Sequence, residues 1–228
     1  DSAVSIPDAN TALTYSGGTL NVGTHTLSIG GAGTFSNDAN SPLVLDLPES
    51  ILDLTGNGTI TGLVSLKGGG TLKANGSPTI SGDITQSDDA TIEVASDQAL
   101  SYSGASLNLG ANKLTLTGGG TFNNTNAFVL NDADSLLSLE GIGTIGDVYG
   151  TTASNLGKGI QVTSSATLGD YDLSAVSYLS LAANQTLDGQ LNLKTNGELK
   201  ISGDGQYIGD TELAGGKFSA NDDQLLGG

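Results

Sequence analysis

One short phrase recurs along this chain: two alternating apolar positions, a Gly-x-Gly corner, a threonine and a further apolar residue. It reads LSIGGAGTF at 27–35, LDLTGNGTI at 52–60, VSLKGGGTL at 64–72, LTLTGGGTF at 114–122 and LSLEGIGTI at 137–145, with a looser LKISGDGQY at 199–207. A phrase that returns at short intervals is the mark of a solenoid, because one copy alone cannot bury its apolar side and must stack on the next.

The repetition extends further. Residues 12–37 align without a gap against residues 99–124, with Tyr15 on Tyr102, Leu20 on Leu107, Leu27 on Leu114 and Phe35 on Phe122. NQTL and GELKISGDGQY echo the same module from Asn184 onward. The chain reads as one domain over residues 1–228, with internal repeats at 12–64 and 99–148, a degenerate copy at 184–228, and an irregular coil or bulging loop at 149–183 that lacks the Gly-x-Gly-Thr phrase.

Within each copy the apolar residues of TLNV, TLSI, LTLT, TIEV and ELKI take every second position, which is the strand period. The runs are short and cut by Gly, Asn, Asp and Ser, the residues that accept the positive φ of tight corners. Two-residue Asn-Gly hairpin loops are scarce, and the apolar positions of the copies fall in phase. The expected fold is therefore all-β: a single elongated parallel β-helix of right-handed sense, with a β-sandwich pair as the alternative. At roughly 20 to 25 residues per coil and about 4.8 Å of rise, the rod holds about ten coils and is about 50 Å long.

Composition narrows the function. The 228 residues contain 35 Gly, no Cys, Met or Trp, and 4% aromatic residues, which suits a narrow aliphatic core without disulfides or thiolate metal sites. With 24 acidic residues against 7 lysines and no arginine, the formal charge of −17 repels nucleic acids and anionic membranes. No apolar run is long enough to span a bilayer. The start at DSAVSIPDAN suits a processed end, and the final LAGGKFSANDDQLLGG reads as another Gly-cornered coil, implying that the chain continues or meets a partner subunit.

Phrases such as TLTLTGGGTF and GGTLNVGTHTLSIGGAGTF resemble the β-helical passenger domains of bacterial autotransporters and haemagglutinin-like surface adhesins. The resemblance covers nearly the whole chain and implies a secreted, extracellular cell-surface rod that presents a binding region to host or other-cell glycans or proteins, or that builds a fibre or biofilm matrix. It brings no active site with it.

Catalysis finds little support. Polysaccharide lyases of this shape use a basic residue, commonly arginine, and hydrolases need two spaced carboxylates; Asp88 with Asp89 and Asp222 with Asp223 are adjacent pairs in turn-like contexts. We read the chain as non-enzymatic, with no catalytic residue. His25, the single histidine, has Asn112 as its counterpart in the second module and reads as a solvated turn residue. Ca²⁺ is the one cofactor to weigh, through the acidic turns SNDAN, LNDAD, GDYD and ANDDQ, although none matches a known Ca²⁺ loop pattern; solvated turns that keep the rod soluble are the favoured reading. Tyr149, Tyr171 and Tyr178, in the stretch that breaks the repeat, are the candidate ligand contacts. Two further expectations concern surfaces: threonines at Thr24/Thr26, Thr115/Thr117 and in each Gly-x-Gly-Thr as water-ordering faces, and open coil ends that permit head-to-tail self-assembly.

Overall fold

The computed structural model describes residues 1–38 and 40–220. All of its regular structure is β, and every paired strand is parallel to its neighbours. No helix is long and apolar enough to cross a membrane. The chain is a β-solenoid of about ten turns, and each turn lays down strands on up to three faces.

The first face is an eleven-stranded sheet running from Ser2–Ile6 to Lys217–Ala220. Its register explains why alternation in the sequence was so regular. Leu27, Leu52, Leu72, Ile92, Leu116, Leu139, Val162 and Leu181 stand in one column, each opposite the next. All from Leu52 onward are buried. The coil interval changes along that column, from 25 residues between Leu27 and Leu52 to 20 between Leu52 and Leu72 and 24 between Ile92 and Leu116. The corners absorb these differences, so that inward and outward positions are never exchanged; a one-residue slip inside a strand would turn its apolar set to solvent.

The second face starts with Ala12–Tyr15 and the third with Leu20–Asn21. In the first coils the third face is a separate four-stranded sheet ending at Ile84–Gln86. Later, the eight-residue strands Ala166–Leu173 and Thr186–Leu193 run through the corner and join both faces into one fourteen-stranded sheet. A register shift between Thr167 and Asp170 marks the bend.

The Gly-x-Gly phrases do not all sit at one corner. Five of them turn the chain from the first face to the second, whereas VSLKGGGTL turns it from the third face back to the first, between strands Val64–Leu66 and Thr71–Ala74. Close approach explains the glycines: a Cβ on Gly56 would lie 2.1 Å from the Gly31 carbonyl oxygen of the coil before it.

The core is a single apolar column with an aromatic middle. Tyr102 and Phe122 lie 6.2 Å apart between ring centroids, and Phe122 and Phe128 5.1 Å, within the range of favourable tilted pairs.

Candidate functional site

The stretch 149–183 was expected as an irregular coil or loop. The structure instead puts three paired strands in it, Gly159–Val162, Ala166–Leu173 and Val176–Leu181. Only residues 151–158 form a long corner, tethered where the Ser154 and Asn155 amides donate to the Val176 and Ala133 carbonyls. Leu156, at its tip, is 84% exposed.

Strand parity decides what each candidate tyrosine can do. Tyr171 stands opposite Val148 and Leu191 and therefore points inward. It is fully buried, its hydroxyl 2.7 Å from Ser177 Oγ, and burial pushes its phenol well above the ordinary value. Tyr171 is a core residue and cannot touch a surface ligand. The signal was in the sequence, since Tyr171 shares parity with Leu173. Tyr149 is flanked by buried Val148 and Gly150 and faces out, 38% exposed. Tyr178 is half-buried on the first face, with Lys200 opposite it and Lys200 Nζ 5.5 Å from its ring centroid. Tyr149 and Tyr178 belong to different sheets, so the three candidates do not form one site.

Around Tyr149 the structure assembles a group that sequence reasoning missed. Tyr149, Asp172 and Asn192 are successive rungs of one outward column. With Thr151, Ser174 and Lys194 beside them, they surround a shallow groove of about 190 Å³ lined by Tyr149, Thr151, Asp172, Ser174 and Lys194. Asp172 accepts from Asn192 Nδ2 at 2.7 Å through one oxygen and pairs with Lys194 Nζ through the other. The hydrogen bond to Asp172 holds the Lys194 ammonium above its ordinary pKa. Lys194 Nζ also lies 6.0 Å from the Tyr149 ring centroid, at the outer limit of a cation–π contact. The groove sets one aromatic ring beside an ammonium, a carboxylate and two hydroxyls, Thr151 Oγ1 and Ser174 Oγ, which donate to the Leu130 and Gly150 carbonyls at 3.3 Å. Asp172 and Lys194 carried no motif; only the outward parity of YDL and LNLK placed them together.

Several aspartates of the acidic turns are engaged by the fold. Asp8, Asp38 and Asp132 each accept the backbone amide two residues on, from Asn10 at 3.0 Å, Asn40 at 2.8 Å and Asp134 at 2.9 Å, the side-chain turn that aspartate favours. Asp89 Oδ1 accepts from the Lys113 amide at 2.7 Å, and Asp88 Oδ1 from the Asp89 amide at 2.8 Å. Among the described residues no three His, Cys, Asp or Glu side chains converge as a metal site. Asp222, Asp223 and most of the ANDDQ turn lie outside the described residues. His25 is exposed, just before the strand Thr26–Gly31.

No protein-family model, curated protein or solved structure matches this sequence.

Proposed function

We propose that this chain is the rod of a secreted bacterial surface adhesin or extracellular fibre, non-enzymatic, with the Tyr149 groove as its contact for a surface glycan. The unbroken ladder of the first face carries the reading. Each coil is hydrogen-bonded to the next through several strands at once, so an axial load is shared by all the rungs of an interface. The acidic exterior, at −17 overall, keeps neighbouring rods apart. A second reading is a subunit that stacks head to tail. It is favoured by the parallel ladder itself, in which each coil pairs with the next in the same way and could pair equally with a second copy.

Electron microscopy of the purified chain with and without Ca²⁺, paired with glycan-array binding of wild type and Tyr149→Ala, tests both. Isolated rods of about 50 Å with Tyr149-dependent glycan binding support the adhesin. Regular filaments support the stacking subunit. Hydrolysis or lyase products released from a polysaccharide would overturn both.

A further inference from the structure

The second face carries a panel that sets it apart from the rest of the surface. Thr34, Thr59, Thr79 and Ser101 form one outward column, in register from coil to coil. Two residues along each strand runs a second column: Thr14 opposite Ser36, followed by Thr61, Ser81 and Ser103, whose amides donate to Phe35, Ile60 and Ile80 of the preceding coils. The rows read T-x-S, T-x-T, T-x-S and S-x-S. The Gly-x-Gly-Thr phrase singled out Thr34 and Thr59, but the rest of the ladder was hidden because the coil interval runs 25, 20 and 22 residues between Thr34, Thr59, Thr79 and Ser101. The constancy of the ladder is spatial.

Two properties of this panel go together. None of the 24 acidic residues or 7 lysines falls in either column. Of these nine hydroxyls, eight make no side-chain hydrogen bond among the described residues, and the ninth, Ser81 Oγ, makes one long contact of 3.5 Å to the Ile60 carbonyl. The first face has one comparable column, Thr71, Thr91 and Thr115 in register, but it runs beside charge rather than beside a second hydroxyl column. The column through Asp53, Lys73 and Glu93 is charged and cross-linked, with Lys73 Nζ 2.9 Å from Glu93 and Asn75 Nδ2 2.8 Å from Asp53. Thr117, expected to belong to a water-ordering face, donates to the Glu140 carbonyl at 2.8 Å. The column of Thr26 is interrupted by Ile51.

Free hydroxyls on a rigid ladder hold their water partners at fixed positions. Here the rungs repeat at about 4.8 Å and the columns stand about 6.6 to 6.8 Å apart, so the first water layer is templated in two dimensions. The panel lacks the aromatic and arginine anchors of protein interfaces, the ring that a sugar stacks on, and the cations that a nucleic acid needs. What remains complementary to a neutral, regular hydroxyl array is a surface made of ordered water. We propose that this panel is an ice-binding face, its ligand the oxygen lattice of ice.

The test is ice-crystal shaping and recrystallisation inhibition by the full chain. Wild type is expected to facet growing crystals and to slow recrystallisation. Thr61→Lys with Thr79→Lys is expected to lose both effects while keeping the wild-type circular dichroism and melting temperature. Thr71→Lys with Thr91→Lys, on the first face, is expected to keep them. If the panel double variant does not fold, Thr61→Asp, at one exposed position, replaces it. Wild type without any effect on ice, or equal loss in the first-face control, overturns the proposal and leaves the adhesin reading standing.

Discussion

Two corners of the coil solve the same problem in opposite ways. Between the second and third faces glycine stacks on glycine in several coils: a Cβ on Gly82 would lie 1.9 Å from the Gly62 carbonyl oxygen, and one on Gly209 1.8 Å from that of Gly189. Between the third and first faces the connection runs from two residues, 174 and 175, to eight, 151 to 158. There, side chains do the tethering. Asp46 and Asn131 accept the Gly23 and Gly110 amides at 3.0 and 2.9 Å, and buried Ser50 and Ser135 each donate at 2.6 Å to the carbonyls of the same two glycines. Where glycines stack, backbone meets backbone directly; where a longer corner strands its amides, polar side chains satisfy them.

The contrast can be broken by substitution. Gly82→Ala is expected to cost roughly 3 kcal/mol, because backbone oxygen cannot yield as a side chain does. Gly110→Ala, where the nearest atom is Asn112 Nδ2 at 3.4 Å, is expected to cost only the strain of its positive φ, about 1 to 2 kcal/mol. Equal losses in chemical denaturation would erase the distinction. Ser135→Ala comes next, at about 1 to 3 kcal/mol, since it strands the Asp132 amide and the Gly110 carbonyl. Hydrogen exchange should show the loss confined to neighbouring coils; uniform loss of protection would mean that the rod opens as one unit.

The smallest effect is pH-dependent. Tyr207 braces the glycine corner, its hydroxyl donating to the Gly189 and Asp210 carbonyls, and burial pushes its pKa up to about 12. The folded state therefore holds this proton more tightly than the unfolded chain. Its contribution is complete below pH 10 and declines as pH rises from about 10 toward 12. Melting temperature followed from pH 9 to 11.5 should fall less steeply in Tyr207→Phe than in wild type; identical slopes would remove Tyr207 as a brace.

Strand parity made the core, the coil count and the open parallel stacking legible, as the column from Leu27 to Leu181 illustrates. Position within the coil was harder. VSLKGGGTL looked equivalent to LDLTGNGTI yet begins only twelve residues later, at a different corner. The stacked glycines at 62, 82 and 104 offered one residue per coil and no phrase. The groove at Tyr149 joins residues from three coils, and neither Asp172 nor Lys194 stands out until register brings them beside the ring.

The parallel register also limits how far any residue is from its partners along the chain. Each strand of the first face pairs with one no more than 25 positions away, from Ser2 with Leu27 to Lys200 with Ser219. Lengthening such a chain adds contacts of the same short span, so the entropy of closing each loop does not grow with the rod. A chain emerging amino terminus first, from a ribosome or a narrow pore, can complete each coil once the following one has cleared the exit. It needs nothing from the residues still inside.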